Sequence, residues 1–142
     1  MHGSGSGQVH ASWTKSFLHE MADRLNVSEP EHELIGHSTK CNQDSCLTYG
    51  GHFDRLSPSD KLDELYDTTI IFLGTSSSEG FDRRTLGFGH EAENMVKEFG
   101  KHNKANGKKT IVVMTVPGAS TTMFRSEVDA ILVHFYPGEM AA

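Results

Sequence analysis

"TTIIFLGTSSSEGFDRRTLGFGH", residues 68–90, runs from the most apolar segment of the chain into a long polar loop. Its first seven residues, 68–74, hold Ile, Phe and Leu in an unbroken row. Alternation with polar residues marks a strand with one wet face. An unbroken row marks a strand covered on both faces, as in parallel sheets. Two later stretches repeat the pattern, "TIVVMTV" (110–116) and "AILVHFY" (130–136). Amphipathic helical patterns lie before and between them. In "KSFLHEMADRL" (15–25) Leu18, Met21, Ala22 and Leu25 recur at i, i+3, i+4 and i+7. Ala92, Met95, Val96 and Phe99 do the same in "HEAENMVKEF" (90–99). A third helical segment, "LSPSDKLDELY" (56–66), has a start signal in Ser57 as N-cap, Pro58 at the first helical position and Asp60 in the first turn. "CLTYGGH" (46–52) reads as a short fourth strand, and 27–45 as a polar connection without a firm period.

Strands alternating with helices predict an α/β fold, a flavodoxin-like three-layer sandwich around a mostly parallel sheet. The chain opens in a loop, "GSGSGQVH" (3–10), and goes straight into a helix. A doubly wound sheet has an interior first strand at that point, so the expected sheet lacks it.

Bulk properties narrow the function classes. At 142 residues the chain is one domain by length, with 23% charged and 36% hydrophobic residues as in a soluble globular protein. A formal net charge of −6 argues against nucleic acid or an anionic membrane as the main partner. No apolar stretch approaches the roughly 20 residues that span a bilayer. "MHGSGSGQVH" lacks the apolar core of a secretion signal, and the compartment is not read from this chain. Cys41 and Cys46 can close a small disulfide loop or stay as free thiols. With His37 and His52 they spell H-x3-C-x4-C-x5-H, which lacks the C-x2-C pairs usual in structural zinc sites, so no metal is expected.

In α/β sheets ligands collect at the carboxyl ends of the strands. Three glycine-containing loops leave that edge, at 74–89, at "PGAS" (117–120) and at "PGE" (137–139). The first is long, and long loops in compact domains are functional or disordered. Within "GTSSSEG" Glu79 is the only side chain able to move a proton, and Ser77, Ser78 and Gly80 let the backbone come close to another surface. Asp82 and Arg83 read as a structural ion pair or loop clasp, and Arg83 with Arg84 as a means of holding the loop against another domain. Two other readings stand beside the catalytic one. Glu79 is an ordinary solvated side chain, or the hydroxyl-rich turn cradles the phosphate of a flavin mononucleotide. Against the cradle, the next helical pattern starts about ten residues late for such a turn, and a carboxylate sits where the anion would bind.

"GSGQVH" (5–10), "IIFLGTSSSEGFDRRTL" (70–86), "TIVVMTVPGAS" (110–120) and "AILVHFYPGE" (130–139) occur in this order and at characteristic separations. Together they resemble the C-terminal α/β sandwich domain of glycoside hydrolase family 3, the β-glucosidase group. The resemblance covers most of 1–142, with 26–58 its vaguest part. It implies a retaining mechanism shared between two domains, with no cofactor. A (β/α)8 barrel, absent from this chain, supplies an aspartate nucleophile and most sugar contacts. The glutamate of the S-x-E-G-like loop, here Glu79, acts as acid/base on a β-linked glucoside or oligosaccharide. Retention needs the two carboxyl groups about 5–5.5 Å apart. The chain departs from the family pattern in several ways. The strand before "GSGQVH" is missing, and "YPGEMAA" precedes the glycine-rich continuation and last strands usual in the family. Phe124 stands where tryptophan is common, and some branches take their acid from the barrel. The expectation is a partial copy of that domain, inactive alone for lack of a nucleophile. The alternative is a non-catalytic domain that docks on a barrel or binds carbohydrate.

Overall fold

The computed structural model describes residues 16–30, 37–50, 58, 66–77, 80 and 82–135. Helix α1 spans Phe17–Leu25, strands β1 and β2 span His37–Cys41 and Cys46–Gly50, and β3 spans Thr68–Gly74. Helix α2 (His90–Ala105), β4 (Lys109–Thr115), a 3₁₀ turn (Arg125–Glu127) and β5 (Ala130–His134) follow. The helix expected over 56–66 lies outside the described residues, save for its ends Pro58 and Tyr66.

The three apolar runs form one parallel sheet in the order β3-β4-β5. Register puts Ile71, Val112 and Ile131 in one row and Leu73, Met114 and Val133 in the next, all on one face. Helix α2 covers β3 and β4 on that face. Its Ala92, Met95 and Val96 pack with Ile71, Leu73, Val112 and Met114, and Val116 and Phe124 close the cluster. These are the apolar helical positions and the alternate strand positions that the two periods, 3.6 and 2, bring together. Phe124 is fully buried, its ring centroid 6.4 Å from that of Phe88. On the opposite face Phe72, Val113 and Leu132 share a row, and Phe17 of α1 meets Phe72 with ring centroids 4.4 Å apart. Helices thus contact both faces of a parallel sheet, the expected α/β sandwich.

Helix α2 has no side-chain N-cap, but Glu91 and Glu93 in its first turn and His102 and Lys104 in its last complement the helix dipole. Gly100 sits inside this helix against the 3₁₀ turn, where any Cβ would collide with the carbonyl oxygen of Glu127. Glycine lets the two backbones meet. At the amino end of the sheet, fully buried Asn103 ties α2 to both strands it covers. Its Nδ2 lies within hydrogen-bond distance of Thr69 Oγ1 (2.9 Å), Thr110 Oγ1 (2.8 Å) and the Lys109 carbonyl (3.2 Å), its two hydrogens shared among the three. Asp129 closes the same end, accepting from the Thr110 N–H (2.8 Å) and from Lys109 Nζ (3.0 Å).

Two sequence expectations need correction. The polar connection over 27–45 contains a strand, since β1 pairs antiparallel with β2 and Cys41 faces Cys46. A strand held by a partner and a disulfide needs no apolar period, so none showed. The sulfurs of Cys41 and Cys46 are bonded to each other (2.07 Å), which removes the free-thiol and the zinc-thiolate readings together. Strand β5 also differs from the doubly covered strand its sequence suggests. Leu132 and Val133 point to opposite faces and are 54% and 46% exposed. Among the described residues β5 pairs with β4 alone, and α2 lies over β3 and β4.

Candidate functional site

The loop that leaves β3 is stitched to the loop that leaves β4. At its root the Thr75 N–H donates to the Thr115 carbonyl (3.2 Å), continuing the β3–β4 ladder one residue past Gly74. Ser76 and Ser77 are exposed beyond that rung. Ser78 and Glu79 lie outside the described residues. Gly80 follows with φ of +72°, in the left-handed region that favours glycine, and it is exposed.

Asp82 is exposed and forms no ion pair with Arg83 among the described residues. The Arg83 guanidinium turns to the neighbouring loop instead. Nη1 donates to Ser120 Oγ (3.2 Å) and Nη2 to the Ala119 carbonyl (2.5 Å). Three residues on, the Thr121 N–H donates to the Leu86 carbonyl (3.0 Å), a second bridge between the same loops. The run into α2 is then seated locally. The Gly87 N–H reaches Thr85 Oγ1 (3.1 Å), and the Phe88 N–H reaches Glu93 Oε1 (3.2 Å). Helix α2 starts at His90, so its N-terminus stands well beyond the hydroxyl-rich turn.

Anchors therefore flank the segment with the serines and the glutamate, Thr75 before it and Arg83 after it. Glu79 is four residues from each. Of the residues expected at the site, Ser77, Gly80, Asp82 and Arg83 lie along one loop at the carboxyl edge of the sheet. Arg83 alone among these four has a bonded partner outside it.

The sequence reading missed three residues here. Ser120 and Ala119 hold Arg83, and "PGAS" flagged their loop without indicating its partner. His134 ends β5 beside Thr115, its Nε2 3.1 Å from Thr115 Oγ1, while its Nδ1 is buried without a partner among the described residues. The signal was available, since His134 is the one titratable side chain in 130–135. The model of the glycosyl hydrolase family 3 C-terminal domain matches residues 1–142, the whole chain. Neither a curated protein nor a solved structure matches.

Proposed function

Because the chain belongs to glycosyl hydrolase family 3 through that family's C-terminal domain, we propose that it supplies the acid/base half of a two-domain glycosidase site, with Glu79 as the proton carrier. The observation that supports this is the bracing of the loop between β3 and α2, pinned at Thr75 and again at Arg83 on either side of Glu79. The other half is a (β/α)8 barrel bearing an aspartate nucleophile, and the substrate is a β-linked glucoside or oligosaccharide. Glu79 protonates the departing glycosidic oxygen as the aspartate attacks the anomeric carbon. It then takes a proton from the water that releases the glycosyl-enzyme, so both carboxyl groups end in their starting states. Ser77, Ser78 and Gly80 keep the loop slim enough to enter the barrel mouth. Arg83 positions the loop, and Asp82 stands beside it.

One carboxylate cannot carry out double displacement, so the 142-residue chain alone is expected to leave an aryl β-glucoside intact. Joined to a family 3 barrel that carries its nucleophile, it restores turnover. Glu79→Gln then lowers the rate by about 10²–10⁴-fold on poor leaving groups, the range of general acid/base catalysis. Activated leaving groups, which need no proton, lose far less in the first step. Full activity of the Glu79→Gln protein on a poor leaving group would remove Glu79 from the mechanism. Turnover by the isolated chain that depends on Glu79 would remove the two-domain reading. Sugar or barrel binding with no gain in turnover, unchanged by Glu79→Ala, would favour a non-catalytic docking domain.

A further inference from the structure

We propose that the Cys41–Cys46 disulfide is a redox-sensitive latch that holds the C-terminal end of α1. Helix α1 ends in a left-handed turn at Asn26 (φ 52°), whose N–H and that of Val27 bond back to the Ala22 carbonyl. That leaves the last carbonyls of the helix, at Leu25 and Asn26, in need of donors. Asn42, next in chain to Cys41, provides them from across the hairpin. Its Nδ2 donates to the Leu25 carbonyl (2.8 Å) and the Asn26 carbonyl (3.0 Å). Its Oδ1 accepts from the N–H groups of Asp44 (2.9 Å) and Ser45 (2.8 Å). Both hydrogens and both acceptor sites of one amide are used, so its position matters to within a hydrogen bond.

That position is fixed by the backbone bond from the Asn42 N–H to the Ser45 carbonyl (2.9 Å) together with a covalent bond. Cys41 and Cys46 are the last facing pair of the β1–β2 ladder, and the bond between them closes the loop that carries Asn42. The hairpin has five residues per strand, and β1 reads His-Ser-Thr-Lys-Cys, with no apolar row to bury. Strand β2 packs on α1, and a two-stranded hairpin needs such packing or a crosslink to hold in water. Cys41 is exposed and Cys46 half-buried, so a thiolate meets the Cys41 sulfur first. A dithiol reductant attacks there, forming a mixed disulfide and expelling the Cys46 thiolate, which takes up a proton. The second thiol of the reductant then closes its own disulfide and releases Cys41. Two electrons and two protons pass to the pair. The hairpin tip is then free to open, Asn42 leaves the helix end, and the last turn of α1 frays. The same helix carries Phe17 against Phe72 of β3, three residues before Thr75, where the loop with Glu79 begins.

The test is amide exchange by NMR on the full chain, oxidised and after dithiothreitol. In the oxidised protein the Asn26 and Val27 amides are protected. Reduction raises their exchange about fivefold, the factor that loss of one net hydrogen bond gives, while Val112 and Val113 in β4 do not change. Asn42→Ala reproduces the acceleration in the oxidised protein, and reduction adds nothing further in that variant. Cys41→Ser with Cys46→Ser gives the reduced pattern in either condition. Unchanged exchange at Asn26 and Val27 on reduction would overturn the latch. So would additive effects of reduction and Asn42→Ala, or a rise across β4 that marks global unfolding.

Discussion

Arg83→Met tests the clasp on which the candidate site depends. Methionine keeps much of the aliphatic stem and removes both bonds, to Ser120 Oγ and to the Ala119 carbonyl. Hydrogen bonds from a charged donor are worth roughly 1.5–3 kcal/mol where water is excluded. The Ala119 end is exposed and the Ser120 end only half-buried, so each falls to about 0.5–1 kcal/mol, near the value of surface pairs. The sum, about 1–2 kcal/mol, corresponds to about a 5- to 30-fold rise in separation of the two loops. Amide exchange reads this directly. The Thr121 amide, bonded to the Leu86 carbonyl across the loops, should exchange faster by that factor. The Val116 amide, bonded to the His134 carbonyl within the sheet, should not change. Arg83→Lys restores one contact at most and falls between. A Thr121 amide as slow in Arg83→Met as in the parent protein would refute the clasp, and a uniform rise at every amide would show that Arg83 serves general stability instead.

Two further outcomes are expected. Gly100→Ala should destabilise the protein although alanine normally favours a helix interior by about 1 kcal/mol. The new Cβ meets the Glu127 carbonyl, and forced shifts of this kind cost roughly 1–3 kcal/mol. The urea midpoint falls, and a higher midpoint would contradict the close approach. Asp129 sets an acid limb to stability. The Thr110 N–H, and then the Lys109 ammonium, hold its carboxyl below the ordinary range against a smaller opposing effect of burial. Its folded pKa lies below its unfolded one, so the stabilisation is complete above the ordinary carboxylate value and is lost as pH falls through the folded value. Asp129→Asn should flatten this part of the midpoint-against-pH curve, and an unaltered slope would disprove the assignment.

Residue type made the parallel sheet legible. The run at 68–74 is strand β3 residue for residue, because its apolar row supplies Ile71 and Leu73 to the core, although Phe72 on the other face is 43% exposed. The carboxyl-edge loops followed from strand order, and Arg83 was recognised as a clasp candidate. Its partners were not, since Ala119 and Ser120 are 36 and 37 residues away and only the fold brings them near. Strand β1 was illegible for a different reason. It buries little, and it is held by a disulfide and by the side chain of Asn42, neither of which leaves a periodic trace. The apolar run of β5 was readable as a strand, yet how much of it is covered depends on its neighbours and not on its own composition.

Asn103 has a consequence for how the domain tolerates change. Its buried amide locks α2, β3 and β4 at the end of the sheet farthest from the long loops. Register is thus set at one pole and presentation at the other. Lengthening the exposed parts of the loops between β3 and α2, or after β4, leaves that lock untouched, provided that Val116 and Phe124 keep their places in the core and Arg83 its clasp. A change at Asn103 has no such freedom.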